Sequence, residues 1–291
     1  MKRSFNGEKL TPYFFILPFM VSFLVFFFIP SLYSLVLSFF KYKGYGTMTF
    51  VGFDNYKALV TYDAFQQSVG NTFYYFIAHA IPTMIFAFVL AYMLQSKLLS
   101  GSQRIFKPML FLPQIVPIIA TSLIWKIMLS RDYGAINQLL GTSIDFLSAA
   151  SPIRKLSVVM MQIWRATGWY MIIFLAGLTT ISDEITDAAK IDGANVLQRI
   201  FRIVLPMMKP IFLFAFIMNA IGAIKLYTEP NILLSTGTMI SEPNAMTIMN
   251  ILRMNLLGAS FGMAAAVGWM VFIIVMLIAL LQFKVLGNKE D

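Results

Sequence analysis

Residues 182–206, SDEITDAAKIDGANVLQRIFRIVLP, put charge and a glycine into a chain that otherwise avoids water. Apolar stretches near 156–181 and 207–227 flank this segment. Each is long enough to cross a hydrocarbon layer about 30 Å thick at about 1.5 Å rise per residue. The segment therefore reads as the connection between two membrane helices.

The rest of the chain repeats that pattern. Of its 291 residues 59% are hydrophobic and 12% charged, with 28 Phe and 20 Met, more than one water-soluble core needs. Six spans are expected, near 12–38, 71–95, 105–129, 156–181, 207–227 and 261–286, in a single domain covering 1–291. They should be helices, because a helix satisfies its own backbone hydrogen bonds where water is absent. A barrel would need short alternating segments, which the sequence lacks. The expected fold is all-α and polytopic, with six transmembrane helices and a cytoplasmic loop at 182–206.

Charge gives the orientation. Lys2, Arg3, Lys9, Lys97, Arg104, Lys107, Lys190, Arg199, Arg202, Lys209, Lys284 and Lys289 fall on the side of both termini and of 182–206. The other side has only Lys41, Lys43, Lys57, Arg131, Arg154, Lys155 and Arg253. Lys and Arg accumulate on cytoplasmic loops, so both termini should be cytoplasmic. The net charge of +9 is thus spent flanking spans, and no basic patch interleaved with aromatics points to nucleic acid. With no cysteine, disulfides and thiolate metal sites are excluded. The basic, apolar start resembles a signal peptide, but its apolar run is too long and lacks a small-residue cleavage site, so a retained first span is expected. The outer loops, 41–70, 130–155 and 228–260, hold aromatic and Gly-rich pieces such as YKGYGTMTFVGFDNY; they could dock an external partner or cap the bundle.

No Asp or Glu falls near the middle of a span, where ion-coupled transporters bury carboxylates. The G-x-x-x-x-G-K-[ST], H-E-x-x-H and G-x-S-x-G motifs are also missing. Any uphill transport therefore draws its energy from another subunit. The spans hold few polar residues: Asn71, His79, Gln114, Lys126, Gln162, Arg165, Asn219 and Lys225. Burying an unpaired polar group costs roughly 2–7 kcal/mol, so each should face the bundle or a wet cavity. Interhelical hydrogen bonding is the plain alternative to a binding role for each. His79, without a metal-ligating neighbour, reads as structural, and Lys126, near a span end, can snorkel. Pro113 and Pro117 should kink the third span and free carbonyls around Gln114.

Within the opening segment, Asp183, Glu184 and Asp187 suit the first turns of a helix, and Gly193 suits its end. Leu197, Ile200, Phe201 and Val204 then recur at i, i+3, i+4 and i+7, opposite Gln198, Arg199 and Arg202. This second helix should lie in the interface with its apolar face on the bundle, and Pro206 should turn the chain into the fifth span. Ala188 and Ala189 let another surface approach closely. An interfacial connector and a docking element both fit.

The run D-A-A-K-I-D-G-A…I-V-L-P resembles the "EAA" loop, E-A-A-x-x-D-G-A…I-x-L-P, of membrane subunits of binding-protein-dependent ABC importers, in the form seen in carbohydrate permeases of the maltose type. F-V-G-F-D-N-Y, F-L-P-Q-I-V-P and F-G-M-A-A-A-V-G-W extend the likeness along the chain. The resemblance implies that Glu184, Asp187, Ala188, Ala189, Asp192, Gly193 and Ala194 form a coupling helix seated on a cytoplasmic ATPase. Asp187 replaces the usual Glu, keeping the charge on a side chain one methylene shorter. The resemblance also implies a mid-membrane solute cavity lined by Gln114, Ile118, Trp164, Gly168, Met171, Asn219 and Gly222. Lys225 stands where a neutral residue is expected, which hints at an anionic solute. The implied assembly has a second permease, forming a heterodimer, two ABC ATPases that bind ATP and Mg, and an extracytoplasmic solute-binding protein. This chain itself would bind no cofactor and no nucleic acid, only lipid and partners. A non-sugar polar solute, or a channel or receptor scaffold, are the alternatives.

Overall fold

The computed structural model describes residues 7–95, 102–237, 239–240 and 242–286. Lys2, Arg3, Lys97 and Lys289, used above to orient the chain, lie outside the described residues. Helices make up almost all the regular structure. The chain groups into two compact units, residues 1–61 with 252–270, and residues 62–251 with 271–291.

In the first unit, α1 (Gly7–Phe23) and α2 (Ile29–Leu37) join through a π turn at Leu24–Phe28. Together they give one apolar helix, Thr11–Leu37, 27 residues long. A short hairpin, β1 (Phe40–Lys41) with β2 (Thr49–Phe50), pairs Phe40 with Phe50, and α3 (Asp54–Thr61) follows. Asn55 on α3 donates to the carbonyls of Ser38 and Phe40 at 2.7 and 3.0 Å, closing the helix end that the hairpin leaves open.

In the second unit, α4 (Asp63–Gln95) and α8 (Arg154–Leu178) are the long, apolar central pair. Their core joins Met84, Phe88 and Leu94 of α4 to Met171, Phe174 and Leu178 of α8. α12 (Lys209–Ile224) completes it, with the Phe174 and Phe212 rings 4.5 Å apart. Full burial of such side chains contributes roughly 1.5–3 kcal/mol each in water, whereas in lipid close packing supplies much of the preference.

The third expected span, 105–129, is not one kinked helix. It consists of α5 (Gln103–Ile115) and α6 (Ile118–Met128), which meet at 94°, and a short α7 (Ala135–Leu140) follows them. Pro117 cannot donate a backbone hydrogen bond, and it forces the preceding Val116 out of helical geometry, to ψ 134°. Two such extended residues turn the axis far more than a proline kink within a continuous helix.

The segment after 182 also departs from expectation in detail. α9 (Asp183–Ile191) starts at Ser182, whose hydroxyl accepts from Glu184 N at 3.1 Å. It ends as expected at Gly193, φ +79°, where Gly193 N donates to Lys190 O and Ala194 N to Ala189 O, the paired closure that a left-handed residue permits. α10 (Val196–Arg199) is capped reciprocally by Asn195 and Gln198. A π turn at Ile200–Val204 leads into α11 (Leu205–Met207). The wide turn breaks the 3.6-residue period, so the expected apolar face is split. Val204 is buried and Ile200 half-buried, while Leu197 and Phe201 stay exposed. The chain turns at Met208, by 71°, rather than at Pro206. Pro206 is accommodated in the first turn of α11, whereas Pro210 has no N–H for the Pro206 carbonyl and stops the helix before it.

After α12 the chain makes a short helix α13 (Thr228–Leu234), which packs on α6, and later α14 (Ile248–Leu257) and α15 (Phe261–Leu286). Arg154, 2% exposed, anchors the start of α8 to this region. Its guanidinium donates to Leu234 O, Asn244 Oδ1 and Glu242 Oε2, each at 3.1 Å. Asn71 on α4 adds bonds to Pro243 O and Met246 O at 2.8 and 3.0 Å. Removing one side of such a buried cluster strands the other, at about 3 kcal/mol. Arg154→Met is therefore expected to lower the thermal midpoint of the detergent-solubilised protein by several degrees; an unchanged midpoint would count against the cluster as an anchor.

Candidate functional site: a polar cavity among the central helices

Five helices of the second unit enclose a cavity of about 380 Å³. His79 comes from α4, Gln114 from α5, and Gln162, Arg165, Ala166, Trp169 and Tyr170 from α8. Met218, Asn219, Gly222 and Ala223 come from α12, and Glu229 from α13. The volume lies within the roughly 300–1,000 Å³ typical of small-molecule sites.

The local reasons for this placement are simple. The break at Val116–Pro117 ends α5 at Ile115, one residue beyond Gln114, so the amide sits at a helix end instead of inside a packed span. On α8, Gln162, Arg165, Ala166 and Trp169 follow i, i+3, i+4, i+7 and so form one stripe. Asn219, Gly222 and Ala223 make the matching stripe on α12.

Although the His79 ring lies near the Gln162 backbone and the Asn219 amide near the Tyr170 hydroxyl, the cavity lining is chemically unusual because many of its polar atoms make no well-formed hydrogen bond among the described residues. These are both ring nitrogens of His79, Gln114 Oε1, Gln162 Oε1, Arg165 Nε, and Nδ2 and Oδ1 of Asn219. Most buried polar groups are hydrogen-bonded, since an unmet one costs about 1–3 kcal/mol. Here the unmet donors and acceptors converge on one space. Asn219, 2% exposed, lies beside the Tyr170 hydroxyl, and the Glu229 carboxylate lies near Gln162 and within electrostatic reach of Arg165.

The expected lining residues divide. Gln114, Asn219 and Gly222 line the cavity. Met171 does not: it is fully buried in the apolar core against α4. Gly168 faces α5, where a Cβ would overlap the Leu110 carbonyl. Trp164 is 47% exposed, its ring 5.8 Å from that of Trp125, and Ile118 is half-buried at the first turn of α6. On α8 the expected stripe, 164, 168 and 171, lies roughly 160° of helix rotation from the observed one at 162, 165, 166, 169 and 170, nearly the opposite face. The sequence signal for the right face was the polar pair Gln162 and Arg165, three residues apart. Glu229 was assigned to an outer loop, and no local pattern reveals that its short helix turns inward. His79, read as structural, also faces the cavity. Lys126 donates to Ser235 O at 2.8 Å, and Lys225 is an exposed C-cap residue that does not line the cavity.

On α9, Asp187 and Ala188 are exposed and Ala189 is buried. Asp187 pairs with Lys190 at 2.6 Å on the surface. Glu184, Asp192 and Gly193 are also exposed, Ala194 is half-buried, and Ile191 presents an exposed apolar side chain beside them. This segment and the cavity are separate features of one unit, connected through α8 and through the α10–α12 arm.

Long apolar helices around a polar cavity define a multi-pass membrane transport subunit, with no energy-transducing motif of its own. Residues 67–286 match the binding-protein-dependent transport system inner membrane component family, and the chain belongs to that family. It is 33% identical to the probable ABC transporter permease protein YesP of Bacillus subtilis, across 97% of this chain and 92% of that one. It is 30% identical to the arabinooligosaccharides transport system permease protein AraP of the same organism, across 98% and 91%. To the lactose transport system permease protein LacF of Rhizobium radiobacter it is 34% identical, across 91% and 90%. Its fold is that of a bacterial ABC transporter involved in the import of the acidic polysaccharide alginate, with a TM-score of 0.83, 23% identity, and 98% and 97% coverage.

Proposed function

We propose that this chain is one half of a two-permease ABC importer for a saccharide or related polyol, and that the cavity is where the solute rests during transport. The observation that carries this reading is the convergence of unmet donors and acceptors on about 380 Å³. A hydroxyl both donates and accepts, so a polyhydroxylated solute can answer Arg165 Nε and Asn219 Nδ2 as donors and the Gln114 and Gln162 oxygens as acceptors. The Trp169 indole offers an apolar face to sugar C–H groups. The names of AraP and LacF support the same solute class.

In this proposal the two bent helix pairs each make one passage, for six in all, in a bacterial-type plasma membrane with both termini inside. The chain pairs with a second, related permease. Two ATPase subunits, which hold ATP and Mg, receive α9 in a cleft through Asp187, Ala188 and their neighbours. An extracytoplasmic binding protein delivers the solute. Closure of the ATPases moves α9 and the 195–207 arm together and switches access to the cavity.

Uptake of labelled arabino-oligosaccharide, lactose and trehalose by cells expressing the complete transporter tests this. At least one should accumulate in an ATP-dependent way, and Asn219→Ala, which removes two cavity hydrogen bonds of about 1 kcal/mol each, should cut its uptake roughly thirtyfold with the complex still assembled. Uptake unaffected by the substitution, or no saccharide uptake at all, would overturn the reading.

A further inference from the structure

We propose that Arg165 and Glu229 form a balanced charge pair that tunes the cavity to uncharged polyhydroxylated solutes and excludes anionic ones. The inference rests on the solute-cavity reading above and narrows it.

Three observations lead here. The lining contains one guanidinium and one carboxylate, contributed by different helices, α8 and α13. Glu229 is 9% exposed and Arg165 half-buried, so neither charge is bathed in solvent. They attract one another electrostatically, yet no N···O contact within 4.0 Å joins them among the described residues. The two charges therefore cancel at a distance without locking into a closed ion pair.

That spacing has a chemical consequence. A closed pair would consume its own hydrogen-bonding capacity, whereas a separated pair leaves Arg165 Nε, and the carboxylate lone pairs not taken by Gln162 and the Glu229 backbone, to a solute in the shared lining. A hydroxyl-bearing neutral solute can bridge them and leave the site electroneutral. An anionic solute gains Arg165 but meets Glu229 in a partly dry site, where a like charge is poorly screened. A cationic solute meets the opposite problem at Arg165. Lys225, the sequence feature that hinted at an anion, is exposed and outside the lining, so it does not upset the balance.

The balance can be broken from either side. Glu229→Gln removes the carboxylate at nearly constant shape and leaves Arg165 as an unmatched cation, so that an anionic ligand becomes the best available counter-charge. Arg165→Gln leaves Glu229 unmatched and should make anion rejection stronger.

The test is a binding titration on the purified complete transporter without its binding protein, read by intrinsic tryptophan fluorescence, since Trp169 lies in the lining. The probes are maltose and lactose against their carboxylate counterparts maltobionate and lactobionate. The native protein should bind a neutral disaccharide about tenfold more tightly than its matched acid. Glu229→Gln should shrink that ratio at least tenfold, and the Glu229→Gln/Arg165→Gln double variant should restore the neutral preference. Should Glu229→Gln fail to assemble, Arg165→Gln decides, and it must weaken the acid further. Saccharide binding with a ratio unmoved by either substitution overturns the charge-pair proposal alone. Saturable binding of neither neutral nor acidic sugar by the native protein removes the saccharide reading of the cavity and this proposal with it.

Discussion

Gly168→Ala is expected to remove most of the folded protein, although it adds a single methyl group. A Cβ at this position would overlap the carbonyl oxygen of Leu110 and approach Phe111 Cα to 3.0 Å. The obstacle is backbone, so no side-chain rotation can relieve it, and α5 must move away from α8. Overpacking of this kind costs about 1–3 kcal/mol, and the upper end applies where main chain must shift. A loss of about 3 kcal/mol is roughly a hundredfold in the ratio of folded to unfolded protein. The displacement would also carry Gln114 out of the cavity, because α5 is what delivers it. The measurement is the yield of monodisperse protein and its thermal midpoint in detergent. Gly70→Ala provides the control, since nothing lies within 4 Å of its Cβ position and its backbone is helical. Equal yields for the two variants would show that α5 and α8 are not held at this close approach.

Gly193→Val is expected to lower solute uptake more than tenfold while the ATPase subunits remain bound. The space around Gly193 is open, so the effect comes from the backbone alone. At φ +79° a non-glycine residue pays about 1–2 kcal/mol, and a β-branched one pays more. Relief of that strain would undo the closure of α9 by the Gly193 and Ala194 amides and change the angle at which α9 meets the 195–207 arm. In the coupling proposal this angle transmits ATPase closure to α12 and the cavity, so hydrolysis should continue without proportional uptake. Gly193→Asn is the discriminating companion, because asparagine tolerates left-handed geometry and should keep most of the uptake. Normal coupling in the valine variant would dispose of the rigid-elbow mechanism, and so would an asparagine variant as defective as valine.

The local features of this chain were legible from sequence because their causes are local. Runs of about 20 apolar residues are set by transfer free energy into lipid, and they announce helices without any knowledge of neighbours. The stop at Gly193 follows from the steric cost that other residues pay at positive φ, and the D-A-A-K-I-D-G-A run was enough to place the chain in its family. Kinks at Pro113 and Pro117 within one span were expected for the same reason, but not the 94° break into two helices at Val116–Pro117.

The cavity was legible only in part. Phase is the missing quantity: a soluble helix shows which side faces inward by the contrast between polar and apolar faces, but a span that is apolar nearly all round carries little such contrast. On α12 the single Asn219 marks the face that lines this cavity. On α8 the choice of Trp164, Gly168 and Met171 fell on nearly the opposite face, because Gly168 is small for the sake of α5 and Met171 is large for the sake of α4. Glu229 was beyond sequence reasoning altogether, since its seven-residue helix reaches the cavity only by packing on α6 across the right-angle break at Pro117. Sequence thus determined the helices, their ends and the family, which depend on solvation and backbone sterics within a few turns. Tertiary structure decided which faces meet and which charges share the cavity, because those depend on close approaches between helices more than fifty residues apart, such as Gly168 against Leu110 and Glu229 near Arg165.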